Sequence, residues 1–289
     1  MTLVALAAAA SLSLGVAALH RVARLRARLR RVESSMHASL RSLGALSHAI
    51  IETEARSMLG EASPVLPLEC HAPEGEDLVL WALFKGRSRG TFIEAGAFDG
   101  RRHSVSHIFE AVGWSGLLVE PLPGKSQACV RYRRGSKVVQ AALVGSSEQA
   151  RVTLEVVPDR TDEEGTTSGL AGALRRSDRR VERVEVPGVT LDSALQGIEP
   201  PIDWVVLDVE GGEVDALRGF DLDRFKPRVL VVEEVSYRRE DLTRKRAIRE
   251  HLWERGYQAV ASVGHNGWFV RREDDETAQR LSALLGVAR

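Results

Sequence analysis

The chain has few cysteines, only Cys70 and Cys129 in 289 residues, and they lie far apart with no CxxC or Cys/His spacing. This scarcity excludes a disulfide-stabilised scaffold and a zinc module, and it suits a reducing compartment. An excess of either charge is also missing, because 40 lysines and arginines balance 40 aspartates and glutamates. Proteins that coat nucleic acid are normally basic, so we expect no nucleic-acid partner.

Long apolar runs are absent except at the amino terminus. Residues 1–19 carry no charged side chain, and a cluster of arginines begins at Arg21. The run is barely long enough to cross a bilayer, and the arginines would hold the following chain in the cytoplasm. We therefore predict that residues 1–20 are a single-pass anchor in the inner (cytoplasmic) membrane. The alternatives are a cleaved signal peptide and a helix of a soluble cytoplasmic protein.

The next segment, residues 21–60, has apolar residues at alternating steps of three and four between Val22 and Ile50. This period predicts a coiled coil, and with it a homodimer formed through residues 22–50; a single amphipathic helix is the alternative. Residues 61–74 contain three prolines and read as a linker. The main domain is predicted at 75–272, followed by a tail at 273–289 that is a charged helix or disordered.

The first informative stretch of the main domain is Thr91-Phe92-Ile93-Glu94-Ala95-Gly96-Ala97-Phe98-Asp99-Gly100. A short apolar run leads to an acidic residue, and two glycines then bracket a turn. Glycine can take a positive φ and lets a ligand approach the backbone closely. The pattern is typical of the first strand of an open α/β sheet, at the turn that faces a nucleotide-like ligand.

The second stretch, Gly116-Leu117-Leu118-Val119-Glu120-Pro121, is an apolar strand that ends in a carboxylate. Glu120 follows Gly96 at about the separation at which an acidic residue on the second strand meets ribose hydroxyls in doubly wound folds. Two acceptor oxygens suit a vicinal diol. The alternative is a glutamate at a strand end that faces water.

The third stretch is a buried strand from Ile202 that ends in Asp208 and Glu210, with Gly211 and Gly212 opening a helix. In a parallel sheet the carboxyl ends of the strands form the ligand crevice. We therefore expect Asp208 and Glu210 on the same edge as Glu94 and Glu120. Neither this carboxylate pair nor the histidines at 103 and 107 has an evident third ligand, so no metal site is predicted.

The remaining segments complete an alternating α/β pattern, with a predicted surface loop at 158–183 that is a candidate lid over the site. The predicted helices are 77–84, 101–112, 125–134 and 240–255, and the predicted strands are 137–143, 151–157, 184–189, 228–235, 257–263 and 268–271.

With these three acidic strand ends, the chain from Phe92 to Arg271 resembles the FkbM-type S-adenosylmethionine-dependent methyltransferases. The resemblance rests on Phe92–Gly100, on Gly113-Trp114-Ser115-Gly116-Leu117-Leu118-Val119-Glu120-Pro121, and on Thr190-Leu191-Asp192-Ser193 followed by Leu207-Asp208-Val209-Glu210-Gly211 and Glu213. It implies an α/β fold, a Rossmann-like seven-stranded sheet with a reversed last strand, and S-adenosylmethionine as the cofactor. It also implies the cofactor-binding residues: Glu94, Gly96, Ala97, Asp99 and Gly100 around the methionine part, Glu120 at the ribose and Asp208 beside the sulfonium.

The activity implied by this resemblance is transfer of a methyl group to a hydroxyl of a sugar or other small metabolite. A general base would assist the transfer, and the candidates are Asp208, Glu210 and His265, with Glu234 as a further one. One alternative is a catalytically silent domain that serves as a membrane-tethered interaction module. A nicotinamide-dependent oxidoreductase is disfavoured because the first turn lacks the GxGxxG spacing.

Overall fold

The computed structural model describes residues 70–84, 87–157, 167–170, 181–235 and 242–287. The predicted anchor (1–20), the predicted coiled coil (21–60) and most of the predicted linker (61–74) lie outside the described residues. Within the described part, no helix has both the length and the apolar character that a membrane crossing requires.

Strands and helices alternate through most of the described chain. In order they are α1 (Glu76–Leu83), β1 (Thr91–Ala95), α2 (His107–Ala111), β2 (Ser115–Val119), α3 (Pro123–Tyr132), β3 (Lys137–Val139), β4 (Ala142–Leu143), β5 (Arg151–Val157), β6 (Thr167–Leu170), β7 (Glu182–Val189), α4 (Leu191–Ala194), β8 (Trp204–Leu207), α5 (Glu213–Arg218), α6 (Leu222–Phe225), β9 (Val229–Glu233), α7 (Leu242–Glu254), β10 (Tyr257–Val263), β11 (Asn266–Arg271) and α8 (Asp275–Leu284).

The main sheet has seven strands in the order β10-β11-β9-β8-β1-β2-β3. The strands from β9 to β3 pair in parallel, whereas β11 runs antiparallel to both β9 and β10. The predicted α/β class and the seven-stranded, Rossmann-like sheet with a reversed last strand are therefore confirmed.

The central strands are apolar because helices cover both faces of the sheet. Every residue of β8 and β9 is buried. One hydrophobic cluster includes Phe92 and Trp204, whose rings stack 5.2 Å apart, and a second, separate cluster includes Ile93 and Val205. Since successive side chains of a strand point to opposite faces, neighbouring residues belong to different clusters and fix the sheet between two helical layers.

A second sheet, β4-β7-β5-β6, departs from the sequence prediction. The predicted strand 137–143 is two strands: β3 pairs with β2 in the main sheet, and β4 pairs with β7. The predicted loop 158–183 was also too long, since β6 lies within it and pairs with β5. Its polar composition concealed a hairpin, because an edge strand needs little burial.

The predicted helix 101–112 was too long at its start, because helical structure begins only at His107. The residues before it turn inwards to hydrogen-bond the buried carboxylate of Glu94 instead of continuing a helix. At the other end of the chain, α8 forms in the predicted tail; Asp274 accepts a hydrogen bond from the Thr277 amide, and Leu281 is fully buried.

Candidate active site

A cavity of about 340 Å³ opens at the carboxyl ends of β1, β2 and β8. Its lining residues are Pro73, Gly96, Phe98, His103, Val119, Glu120, Pro121, Lys125, Ala141, Ala142, Leu143, Leu154, Asp208, Val209, Glu210 and Gly212. The volume lies within the usual range for small-molecule sites, about 300–1,000 Å³, and the position is the crevice that open α/β sheets use for ligands. We call it the large cavity.

Gly96 brings two strand ends into contact at the floor of the large cavity. Its φ is 88°, and a Cβ at this position would lie 1.8 Å from the backbone oxygen of Asp208. The amides of Gly96 and Ala97 both donate to the Val119 oxygen, at 3.0 and 3.2 Å. Only glycine permits this approach, so the turn after β1 is fixed against β2 and β8 together.

Glu120 is held rigidly at the wall of the large cavity. Its Oε2 accepts a hydrogen bond from the Phe98 amide at 3.0 Å, and its Oε1 accepts one from the Leu122 amide at 2.9 Å. The residue is 4% exposed. A carboxylate fixed in this way presents two acceptor oxygens, the kind of group that suits a diol.

Glu94 does not line the large cavity. It accepts hydrogen bonds from the Ser104 hydroxyl (2.9 Å) and the Val105 amide (2.7 Å), and also from the hydroxyl of Ser106. The guanidinium of Arg133, itself buried, lies 3.9 Å away. These bonds tie the loop before α2 to β1, and Glu94 faces a neighbouring smaller cavity.

Asp99 and Gly100 also lie outside the lining of the large cavity. The Asp99 carboxylate accepts hydrogen bonds from the amides of Arg101 and Arg102 and from the Arg102 side chain, so it closes the turn. Gly100 faces α3, where an added Cβ would lie 2.9 Å from the Arg133 side chain. Both residues hold the shape of the loop from behind.

Three non-glycine residues with a left-handed backbone gather around the large cavity: Phe98, His103 and Glu210, with φ of 51°, 60° and 54°. The fourth such residue in the described part of the chain, Lys226, ends α6. A left-handed backbone costs a non-glycine residue about 1 kcal/mol or more, and such residues cluster at functional sites. This strain is a sign of function that is independent of the charged residues.

Acidic side chains surround Asp208, which lines the large cavity and is exposed to it. Oxygens of Asp208, Glu213 and Glu233 lie within 4.8 Å of one another. Solvent reaches Asp208 only through the cavity, and the protein atoms packed around its carboxyl reduce its hydration. This desolvation, followed by the nearby charges of Glu210 and Glu213, raises the pKa of Asp208. Burial, followed by the charge of Asp208, raises the pKa of Glu233. The two groups therefore hold protons far more tightly than ordinary carboxyls do.

Glu213 is thus a third carboxylate close enough to share a metal ion with Asp208 and Glu233, which the sequence did not reveal. Its oxygens, however, already accept hydrogen bonds from other protein groups. Its Oε1 accepts hydrogen bonds from the amides of Val209 and Gly211, and its Oε2 accepts one from Arg244 at 3.0 Å. The Arg244 guanidinium also lies 3.4 Å from Glu233. Arg244 therefore supplies positive charge to this cluster, which weakens the case for a metal ion there.

His265 and Glu234, two base candidates, are both engaged elsewhere. His265 Nδ1 lies 2.5 Å from Glu74 Oε1, and its side chain faces the smaller cavity. Glu234 is fully buried and accepts hydrogen bonds from Arg249 at 2.6 and 3.0 Å. Asp208 and Glu210 are the base candidates that line the large cavity.

Sequence reasoning missed Lys125, which is 4% exposed and lines the large cavity with its Nζ 3.9 Å from the centre of the Phe98 ring. It also missed Pro73, assigned to the linker, and Leu154, on the second sheet. A lysine on a predicted helix carries no signal of its own. The second-sheet residues follow a weak alternating pattern that says nothing of where the sheet packs.

Solved structures similar to this chain include the O-methyltransferase TomG of Streptomyces achromogenes in complex with S-adenosylmethionine. Its sequence is 14% identical, the match covers 76% of this chain and 88% of that one, and the TM-score is 0.39. Fibrillarin of Aeropyrum pernix, with natively bound S-adenosylmethionine, is 14% identical over 74% of this chain and 85% of that one, with a TM-score of 0.36. An O-methyltransferase from Bacillus cereus is 14% identical over 76% and 91%, with a TM-score of 0.38.

No curated protein sequence matches the chain significantly. The family model described as the methyltransferase FkbM domain matches residues 94–259, more than half of the chain. The matched segment begins at the buried glutamate of β1, ends inside β10 and includes Glu120 and Asp208. The chain therefore belongs to the FkbM methyltransferase family.

Proposed function

We propose that this protein is an S-adenosylmethionine-dependent O-methyltransferase whose acceptor is a hydroxyl of a sugar or other small metabolite. The observation that carries the proposal is the pairing of two different carboxylates in one cavity. Glu120 is fixed by two amides and suited to a diol, whereas Asp208 has a raised pKa and its backbone lies against the glycine turn after β1.

The lining of the large cavity fits the parts of this cofactor. Glu120 would accept hydrogen bonds from the ribose hydroxyls, and the apolar side chains of Ala142, Leu143 and Leu154 would contact the adenine. Asp208, to whose side chain no described residue donates a hydrogen bond, would face the positively charged sulfonium. When bound, the cofactor supplies a methyl group that is already activated for displacement.

The residues of the protein would then position the acceptor and accept its proton. Alignment of two reactants can contribute about 7–11 kcal/mol to lowering a barrier, so positioning is the larger share of the work. A general base is most effective when its pKa lies near the working pH. The raised pKa of Asp208 meets that condition and makes it the favoured base; Glu210 and His265 remain candidates.

The amino-terminal segment extends the proposal to location and partners. We infer from the uncharged run and the arginines after it that residues 1–20 hold the enzyme at the inner membrane with the active site in the cytoplasm. We infer from the period of three and four that residues 22–50 pair two copies. Recovery of the full-length protein in the soluble fraction without detergent would contradict the first inference, and a monomer by light scattering would contradict the second.

Transfer to a hydroxyl can be tested with S-adenosylmethionine that carries a deuterated methyl group. The purified enzyme is incubated with a metabolite extract, and products that have gained the labelled methyl are identified by mass spectrometry. We expect the label on an oxygen of a small metabolite. A label found only on nitrogen, carbon or macromolecules, or on nothing although the cofactor binds, would overturn the proposal.

A further inference from the structure

Arg133, the residue that follows α3, is an almost completely buried cation, with 1% of its side chain exposed. A guanidinium has five N–H groups, and all five of Arg133 donate to protein acceptors. Its Nε donates to Glu110 at 3.1 Å, and its Nη1 donates to the Gly100 carbonyl at 3.1 Å and the Ser104 hydroxyl at 3.0 Å. Its Nη2 donates to the carbonyl and the hydroxyl of Ser106, at 3.1 and 2.8 Å. The guanidinium is therefore saturated by groups from one short segment and from α2.

The two serines connect Arg133 to β1. The Ser104 hydroxyl accepts from Arg133 and donates to the Glu94 carboxylate at 2.9 Å. The Ser106 hydroxyl likewise accepts from Arg133 and donates to the same oxygen of Glu94. The segment from Gly100 to Ser106 is thus held between a buried cation on one side and a buried anion on the other.

This segment continues the wall of the large cavity. Phe98 and His103, one on each side of Gly100, line the cavity with left-handed backbones. Such conformations persist in non-glycine residues only where the surrounding structure holds them. The bonds from Arg133 to Gly100 and to Ser104, the residue directly after His103, supply that restraint. Arg133 is itself not a lining residue, so it would affect a ligand in the cavity only through this segment.

We propose that Arg133 is a positioning residue for the cofactor: it holds residues 98–104 in the conformation that binds S-adenosylmethionine, without touching the cofactor. This rests on the proposed function. Loss of the bonds would release the segment from its strained conformation, and the apparent Kd rises in inverse proportion to the fraction that remains competent to bind. A lysine cannot take this role, because three donors on one nitrogen do not reproduce the planar five-donor fork.

The test titrates S-adenosylmethionine by calorimetry into the wild type, Arg133→Lys, Arg133→Ala and the control Arg87→Ala. Arg87 also pairs with a buried carboxylate, that of Asp203, but this pair lies just before β8, at the opposite end of the strand from the cavity. We expect the Kd to rise at least about tenfold in both Arg133 variants, as when the competent fraction falls to about a tenth. Arg87→Ala should lose stability and keep the wild-type Kd.

The number of binding sites per chain separates positioning from a general role in folding. Unfolded protein does not bind, so a defect in folding alone lowers the number of sites and leaves the Kd of the folded remainder unchanged. A positioning defect raises the Kd at one site per chain. Guanidinium chloride, far below denaturing concentrations, should restore part of the affinity of Arg133→Ala, and ammonium chloride at the same concentration should not.

A second variant keeps the inference testable if the Arg133 variants do not fold. Ser104→Ala removes one acceptor of Arg133 and keeps both buried charges, so it should also raise the Kd at one site per chain. An unchanged Kd in that variant would overturn the inference.

The wild-type titration distinguishes the two proposals. Absence of binding there would contradict the proposed function, and the inference with it. Wild-type binding combined with any of three results would overturn the inference alone: an unchanged Kd in folded Arg133→Ala, an equal rise in Arg87→Ala, or no difference between the two salts.

Discussion

At the scale of single residues, Glu120 and Asp208 show how one sheet edge gives two carboxylates opposite properties. Glu120 accepts two amide hydrogen bonds, which hold its carboxylate in one orientation. Asp208 is desolvated by the surrounding protein and lies near the acids Glu210 and Glu213, and both effects raise its pKa. The first is suited to constant hydrogen bonding, and the second to gaining and losing a proton.

Replacement of Asp208 should slow the methyl-transfer step more than it weakens cofactor binding. In Asp208→Asn we expect kcat to fall by about 10²–10⁴, the usual contribution of a general base, with a smaller change in cofactor affinity. The control is Asp215→Asn, an exposed acid paired with Arg218 outside the site. Initial rates of S-adenosylhomocysteine formation measure the effect, and an unchanged kcat in Asp208→Asn would exclude Asp208 as the base.

The same residue predicts the pH dependence of the reaction. Because Asp208 acts only when deprotonated and its pKa lies above the usual 3.8, the rate should rise with pH beyond the range where ordinary aspartates titrate. Initial rates across about pH 5 to about pH 9 measure this rise. A profile already flat at pH 5 would show that another group takes the proton.

The ribose contact can be tested by Glu120→Gln. The new amide nitrogen would face the amide of Phe98 or Leu122, and one charged acceptor would be lost to the ligand. A hydrogen bond to a charged group is worth about 1.5–3 kcal/mol, so we expect the Kd for S-adenosylmethionine to rise by about 10- to 150-fold. An unchanged Kd in a folded variant would contradict the assignment.

The residues that sequence reasoning placed correctly in the large cavity are strand-end groups: Gly96, Glu120, Asp208 and Glu210. An apolar strand that ends in an acid or a glycine is visible in the sequence, so the position of these residues at the edge of the sheet could be predicted. Glu233 shows where such reasoning stops. It and Glu234 follow one another at the end of β9, so they point to opposite sides, and the sequence does not reveal which side faces the site.

At the scale of elements, the contact between the turn after β1 and the end of β8 holds the site together. Gly96→Ala would place a Cβ against the Asp208 backbone, which cannot move without parting two strands. Gly256 is the matched control, because its φ of 83° is similar and nothing lies within 4 Å of an added Cβ. Both variants carry the left-handed strain, and only Gly96→Ala adds the clash.

We therefore expect Gly256→Ala to lower the free energy of unfolding by about 1–2 kcal/mol, the cost of a left-handed alanine. Gly96→Ala should lower it further and should also abolish cofactor binding. Urea denaturation and calorimetry measure the two effects. Equal destabilisation of the two variants would show that the predicted clash is relieved at little cost.

Strands were predictable where an apolar run is bounded by turn residues, as in β1, β2, β8 and the β10–β11 hairpin. They were not predictable where a distant side chain decides the local structure. Residues 101–106 have no helix because Glu94, on another element, takes the amides of Val105 and Ser106. Likewise, strand 137–143 divides because its two halves pair with different sheets.

At the scale of the whole molecule, positive and negative charges balance across the chain. Buried acids such as Glu94, Glu120 and Glu233 nevertheless lie at the carboxyl ends of parallel strands of the main sheet. Burial, the leading cause, raises the pKa of Glu76 to about 7 and that of Asp77 to about 6. Asp208 and Glu233 shift in the same direction. A carboxyl with a raised pKa in the folded state holds its proton more tightly than in the unfolded chain, so it favours folding at low pH and loses that advantage as pH rises.

The ligand-free protein should accordingly lose stability between about pH 5 and about pH 8, the window set by these raised pKa values. Glu76→Gln should reduce the total loss of stability over this window by up to about 3 kcal/mol, the linkage value of a pKa shift from 4.5 to about 7. Exposed Glu250→Gln should leave the slope as it is. Urea denaturation at a series of pH values provides the measurement, and identical slopes for Glu76→Gln and wild type would refute this account of Glu76.

Binding of S-adenosylmethionine in the large cavity is the central claim, and calorimetry with the purified full-length protein tests it most directly. We predict saturable binding of one cofactor per chain, weakened by Glu120→Gln and unaffected by Asp215→Asn. Absence of heat above the dilution control, with protein shown to be folded by circular dichroism, would contradict the central claim.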